Sequence, residues 1–220
     1  MTGEFLSVFI ASFVTFFVTF FVLIDALGVA PVFASLTAQG DAKYRRSMAV
    51  RSVFVGTIIL FGFAFFGSWL LEKLHITIDA FRAAGGILLF IIALDMVFER
   101  RTERRESRAE SVLADHEDTA PPEDVSVFPL GIPMLAGPGS IATAMLYMSG
   151  TEDWAIKAAV LSAIGVNMVI CLIVFLLAGP LLRIMGESIA GAITRIFGVI
   201  LAALSVQLLI DGIKGAFGLA

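Results

Sequence analysis

The feature that most constrains this chain is a series of long apolar stretches that lack the strict alternation of a β-strand. A helix needs about 20 apolar residues to cross a bilayer, whereas membrane barrels alternate apolar and polar residues. Stretches of helical length lie near residues 5–24, 49–71, 79–98, 126–148, 155–178 and 190–213. The sequence therefore predicts an all-α membrane protein with six transmembrane helices, because lipid leaves each segment to satisfy its own backbone hydrogen bonds.

Composition supports the same class of protein. The 220 residues are 59% hydrophobic and only 15% charged, against about 25% charged in soluble domains. We expect the lipid bilayer as a partner and no nucleic-acid partner.

Positively charged residues are distributed unevenly between the loops. The first loop holds four Lys and Arg residues, the third holds five and the fifth holds two, which is eleven of the chain's fifteen. An excess of positive charge marks the cytoplasmic side. The sequence thus predicts a multi-pass inner-membrane protein with both termini in the periplasm and the loop 99–124 in the cytoplasm.

The loop 99–124 differs in composition from the rest of the chain. It contains nine of the nineteen acidic residues, mixed with five arginines, and ends near two consecutive prolines. Such a composition is typical of a solvated, flexible linker. It divides the chain into a first three-helix unit, 1–98, and a second three-helix unit, 125–220.

The two units carry related patterns. The third helix opens with Arg82-Ala-Ala-Gly85 and the sixth with Arg195-Ile-Phe-Gly198, each followed by aliphatic residues. Each unit has an odd number of crossings, so a second copy enters the membrane upside down. This pattern predicts two inverted-topology repeats, a plan found in many secondary transporters.

Glycine and proline interrupt the first helix of each unit. The residues concerned are Gly28 and Pro31 in the first unit and Pro133, Gly137, Pro138 and Gly139 in the second. Broken helices present unpaired backbone groups near the membrane centre, where a substrate or an ion can bind. Kinks that only improve helix packing are the alternative.

Asp25 is the acidic residue that we single out, because a charge inside the bilayer is costly and such groups are usually functional. It directly precedes the first break. Two compatible roles follow, a binding site for substrate or coupling ion and an N-cap for the second half of the helix.

Four further polar residues are candidates. Asn167 and Gln207 lie inside predicted helices and either line a substrate path or bond neighbouring helices. Arg82 and Arg195 begin equivalent helices on opposite sides of the membrane, where each either anchors its helix at the interface or caps a cavity and meets a carboxylate.

The motifs resemble those of the MarC family of bacterial membrane proteins. The resembling stretches are FFVLIDALGVAPVFAS at 20–35, FRAAGGILLFIIALDMVF at 81–98, VSVFPLGIPMLAGPGSIATAM at 125–145 and ITRIFGVILAALSVQLLIDG at 193–212. The family usually has Pro directly after an Asn or Asp, and often Asn after the Gly, where this chain has Ala26 and Val29. The resemblance implies an inner-membrane protein that transports small neutral amino acids.

The sequence thus favours a secondary transporter of small neutral amino acids or similar metabolites, coupled to H+ or Na+. No phosphate-binding GxxxxGK[ST] motif is present. An exporter of other small molecules or drugs and a non-transporting regulatory protein are the alternatives. No enzymatic activity, cofactor or metal is expected, and homo-oligomers stay open.

Overall fold

The computed structural model of the chain describes residues 2–114 and 124–219. The helices are α1 (Thr2–Ile24), α2 (Ala26–Leu36), α3 (Ala42–Lys73), α4 (Ile78–Val97), α5 (Arg100–Ala114), α6 (Pro138–Ser149), α7 (Trp154–Leu176) and α8 (Ala178–Phe217). An irregular helical segment, Ser126–Leu135, precedes α6 and is called the proline segment. No strand occurs within the described residues, so the all-α prediction is confirmed.

Five helical stretches of the described chain are long and apolar enough to cross a membrane. They are Phe5–Leu36, Ala42–Lys73, Ile78–Val97, Trp154–Leu176 and Ile189–Phe217. The proline segment and α6 form a sixth candidate, bent by 57°. The prediction of a multi-pass membrane protein is confirmed, with five spans, or six when the bent pair counts as one.

Several helical stretches extend beyond their predicted limits, α3 among them, since it begins at Ala42 rather than near residue 49. The first span continues past residue 24 to Leu36, and α8 begins at Ala178 rather than near residue 190. Pro180 lies in the first turn of α8, where its missing N–H removes no helical hydrogen bond. The helix therefore tolerates a proline that looks like a helix breaker in the sequence.

The bend before α6 follows from two prolines. Phe128 (φ −125°, ψ 131°) and Ile132 (φ −128°, ψ 126°) leave the helical region, and each directly precedes a proline. Proline disfavours the helical conformation in the residue before it. The sequence Phe-Pro-Leu-Gly-Ile-Pro thus keeps this part of the chain from forming a straight helix.

The pair α4 and α8 is closely packed through glycine. A Cβ atom at Gly86 would lie 2.7 Å from the amide nitrogen of Leu209, and one at Gly212 would lie 2.5 Å from that of Ala83. Small residues let membrane helices approach this closely. These glycines fix α4 against α8. Large apolar side chains such as Phe66 of α3 and Ile196 of α8 are exposed.

The segment predicted as a flexible linker is helical over residues Arg100–Ala114. They form α5, an amphipathic helix that packs on α2, α4 and the proline segment. Arg105 and Ala109, one turn apart, form its buried face. The composition of the segment gave no sign of this face, because the face consists of one small residue and one arginine. Residues 115–123 of the predicted linker lie outside the described part of the chain.

Ion pairs hold the start of α5 to the helix bundle. Glu99 pairs with Arg195 of α8, and Arg104 pairs with Asp95 of α4. At the far end of the predicted linker, Asp124 pairs with Arg51 at 2.8 Å. Side-chain and backbone hydrogen bonds from Ser126 and the charge of Arg51 lower the pKa of Asp124.

Candidate functional site

Asp25 occupies the junction between α1 and α2. It is 0% exposed and adopts the left-handed conformation, φ 52° and ψ 56°, which Asp tolerates better than most residues. Its Oδ1 accepts a hydrogen bond from the Gly28 amide at 3.2 Å and caps α2. The Asp25 amide donates to the Phe21 carbonyl, and the Asp25 carbonyl accepts from the Val29 amide. These three hydrogen bonds join α1 to α2 across Asp25.

Arg105 of α5 supplies the charge that balances Asp25. Its Nη1 lies 3.1 Å from Asp25 Oδ2, and the arginine is only 4% exposed. Burial lowers the pKa of the Arg105 guanidinium, and the charge and hydrogen bond of Asp25 act in the opposite direction. Arginine nevertheless stays charged in proteins. The two residues form a buried ion pair between α5 and the first helix break.

Thr194 and Gly28 complete the surroundings of this carboxylate. The Thr194 hydroxyl of α8 lies 3.2 Å from each oxygen of Asp25 and donates to them. A Cβ atom at position 28 would lie 2.3 Å from Asp25 Oδ2 and 2.6 Å from Thr194 Oγ1. Gly28 is therefore the residue that leaves room for the carboxylate.

A cavity of about 220 Å³ lies on the α5 side of this ion pair. The cavity is bordered by arginines of α5, by the end of the proline segment and by the first turn of α6. These residues are Arg104, Arg105, Arg108, Pro133, Met134, Gly137, Pro138, Gly139 and Ser140, with Leu23, Ile92 and Asp95 completing the wall. The structure thus brings together all four site residues that the sequence predicted at the second helix break.

The start of α6 lacks a side-chain cap. Gly137 is its N-cap and offers no side chain, and Pro138 has no N–H to donate. The Ile141 amide donates to the Gly137 carbonyl at 3.0 Å. Within the described chain, the amides of Gly139 and Ser140 have no acceptor, as expected for donors in an uncapped first turn.

The remaining predicted site residues lie away from this cavity. Pro31 sits inside α2 and borders a neighbouring cleft against α5. Asn167 donates to the Phe17 carbonyl of α1 at 3.2 Å and to the Ala163 carbonyl at 2.8 Å, so it bonds neighbouring helices. Gln207 is exposed and donates to Asp211 at 2.8 Å.

The two arginines predicted to cap a cavity make local ion pairs. Arg82 pairs with Asp79 in the first turn of α4 at 3.0 Å. Arg195 pairs with Glu99 and so fixes the start of α5. Neither borders the cavity beside Asp25.

Sequence reasoning missed four residues of the site, namely Arg105, Arg108, Thr194 and Ser140. Arg105 is one of five arginines in a polar segment, and only its one-turn spacing from Ala109 sets it apart. Thr194 directly precedes the Arg195 motif, and Ser140 directly follows Gly139. The glycine motifs therefore gave a signal for the last two.

Comparison with known proteins agrees with this architecture. A family model described as MarC family integral membrane protein matches residues 10–217. Similar proteins include the UPF0056 membrane protein MJ1677 of Methanocaldococcus jannaschii, 36% identical over 88% of this chain and 92% of the relative. YvbG of Bacillus subtilis is 33% identical over 87% of this chain and 89% of its own length.

YhcE of Escherichia coli, also a UPF0056 membrane protein, is 32% identical over 89% of this chain and 88% of its own length. No solved structure matches this chain. The matched region contains the Asp25 junction, α5, the proline segment and the start of α6. The chain belongs to the MarC family of integral membrane proteins.

Proposed function

We propose that this protein is a secondary transporter of small neutral amino acids or similarly small zwitterionic metabolites. The observation that carries the proposal is the buried Asp25–Arg105 pair beside a cavity that also holds the uncapped start of α6. Groups of both charges and free backbone donors meet there. A zwitterion presents the complementary ammonium and carboxylate groups.

The size of the cavity favours a small solute over a drug. Pockets for drug-sized ligands span about 300–1,000 Å³, whereas this cavity measures about 220 Å³. Substrates such as glycine and alanine suit this volume better than a drug does. An exporter of larger molecules is therefore the weaker of the two transport hypotheses.

Helix packing supports the proposed inverted repeat. A two-fold axis that exchanges the units would map α1 with α2 onto the proline segment with α6, α3 onto α7, and α4 onto α8. The contacts between helices come in matching pairs. The contact of α1 with α7 corresponds to the contact of the proline segment and α6 with α3. The contact of α2 with α8 corresponds to that of α6 with α4. Such a plan suits alternating access.

We further propose that α5 closes the cavity on the cytoplasmic side of the inner membrane. Access from that side would require Arg105 to leave Asp25, and an H+ or Na+ would then balance the exposed carboxylate. This exchange would couple substrate movement to an ion gradient. Labelling of single cysteines introduced at Ser111 and Thr151 from each side of the membrane tests the orientation.

The direct test is uptake of radiolabelled glycine and alanine by liposomes that contain the purified protein, with and without H+ and Na+ gradients. We expect saturable uptake driven by one gradient. Asp25→Asn should abolish coupling, and the matched control Asp41→Asn, which changes an exposed N-cap of α3, should not. Absence of uptake under every gradient by folded protein would contradict the proposal.

A non-transporting regulatory role is the second candidate, and the folded α5 is the observation in its favour. The outer face of α5 exposes charged residues that a partner protein could contact and that do not border the cavity, including Glu103 and Glu110. Exchange of these residues for residues of opposite charge would leave uptake unchanged if the protein is a transporter. Loss of a cellular phenotype without any change in uptake would favour the regulatory role.

A further inference from the structure

We propose that the first turn of α6 binds the carboxylate group of a small ligand through the amides of Gly139 and Ser140, the Ser140 hydroxyl and the Arg108 guanidinium. The binding site stands on its own contacts. Only its identification as the place where a transported amino acid binds depends on the function proposed above.

The Ser140 hydroxyl is the observation that points to a ligand. Ser140 is only 3% exposed, borders the cavity and makes no side-chain hydrogen bond within the described chain. Unlike the hydroxyls of Thr143 and Ser149, which are buried without a partner, the Ser140 hydroxyl keeps accessible area at the cavity. Ser140 therefore places a polar group in the cavity wall where no protein group satisfies it.

The backbone of the same turn adds two donors. The amides of Gly139 and Ser140 precede the first helical hydrogen bond of α6, and the Gly137 N-cap offers them no side-chain acceptor. The partial positive charge of a helix start favours an anion at this position. Backbone and hydroxyl thus present donors from one turn of helix, which suits an oxygen anion.

The charges around the cavity select a ligand with one negative charge. Asp95 pairs with Arg104, and Asp25 pairs with Arg105. Arg108, which also borders the cavity, makes no ion pair within the described chain. One guanidinium in excess matches the single charge of a carboxylate better than the nearly double charge of inorganic phosphate.

The test measures binding to purified protein in lipid nanodiscs at neutral pH, with L-alanine, L-lactate, L-alaninamide and inorganic phosphate as probes. We expect alanine and lactate to bind, because both carry a carboxylate, and alaninamide and phosphate to bind at least tenfold more weakly. Alaninamide binding equal to that of alanine, or phosphate binding without lactate binding, would overturn the carboxylate assignment.

Variants assign the site to α6. Ser140→Ala and Arg108→Gln should each weaken lactate binding about tenfold, the usual scale for a lost hydrogen bond to a charged group. The matched control is Ser149→Ala, because Ser149 lies on the same helix, is half-buried with a hydroxyl that makes no hydrogen bond, and does not border the cavity. Equal effects of Ser140→Ala and Ser149→Ala would overturn the proposal.

The same protein separates failure of this site from failure of the proposed function. Lactate binding that depends on Ser140, together with no alanine uptake in liposomes, keeps the carboxylate site and rejects transport. Gradient-driven alanine uptake that Ser140→Ala and Arg108→Gln leave unchanged, with no measurable lactate binding, rejects the site and keeps transport.

Discussion

The starts of α2 and α6 differ in how their first backbone amides are capped. At α2 the protein supplies its own carboxylate, since Asp25 accepts from the Gly28 amide at 3.2 Å and is held by Arg105 and Thr194. At α6 the N-cap is Gly137, which has no side chain to accept a hydrogen bond. One helix start receives a side-chain cap from within the protein, and the other borders a cavity without such a cap.

The backbone also differs between these two places, since it is continuous at the start of α2 and bent before α6. Hydrogen bonds continue across Asp25, and Phe5–Leu36 form one candidate span. The proline segment and α6 are bent by 57°, and the bend brings the start of α6 to the cavity wall. The first break thus holds a buried charge, whereas at the second break the uncapped start of α6 borders the cavity.

The largest expected effect tests the internal charge at the first break. Asp25→Asn can still cap α2 but leaves Arg105 buried without a counter-charge, so we expect a loss of roughly 3–5 kcal/mol in the free energy of unfolding. Thermal unfolding of the purified protein measures it. Adding Arg105→Gln should restore most of the loss, and an effect no larger than that of Asp41→Asn would contradict the importance of the pair.

The next effect tests the space around that charge. Gly28→Ala places a Cβ atom 2.3 Å from Asp25 Oδ2, so we expect a loss of about 1–3 kcal/mol in the free energy of unfolding from overpacking. Gly165→Ala in α7 is the control, because no atom lies within 4 Å of its added Cβ. Equal stability of the two variants in thermal unfolding would show that the carboxylate is not confined.

A third variant makes the second break resemble the first. Ser140→Asp adds a carboxylate in the first turn of α6, where an acid is favourable and where it would meet Arg108. We expect lactate binding to nanodisc-embedded protein to fall more than tenfold while the melting temperature holds. The uncharged Ser140→Asn should bind more strongly than Ser140→Asp, and equal binding of the two would attribute the loss to size rather than charge.

The smallest expected effect concerns the neighbouring arginine. Arg104 pairs with Asp95 but its side chain is 64% exposed, so Arg104→Gln should change the free energy of unfolding by only about 0.2–1 kcal/mol. Arg105→Gln, one residue further on, should cost considerably more. Similar melting temperatures for these two variants would mean that burial of Arg105 does not increase its contribution to the free energy of unfolding.

Much of the second break was predictable. Pro133, Gly137, Pro138 and Gly139 were predicted as site residues from their clustering inside an apolar stretch, and all four border the cavity. Local sequence suffices there, because proline disfavours the helical conformation of its neighbour whatever surrounds it. The partners of the first break were not predictable in the same way, although Asp25 itself was singled out.

Asn167 and Gln207 show why polar residues inside a span are ambiguous. Both are costly in lipid, and either a substrate path or a neighbouring helix satisfies them. Asn167 finds carbonyl groups of α1 and α7, and Gln207 finds Asp211 one turn away. Which alternative holds depends on the rotation of each helix about its axis, and packing sets that rotation.

The sequence by itself determined that this chain lies in a membrane as a bundle of helices and that the chain bends at the prolines before α6, because the length of apolar stretches and the conformational limits of proline are local properties. Tertiary structure alone decided that Arg105 reaches Asp25 across eighty residues of chain. It also placed α5 beside the start of α6. A buried charge takes the partner that packing brings near it, and an arginine in a polar segment carries no local sign of which carboxylate that will be.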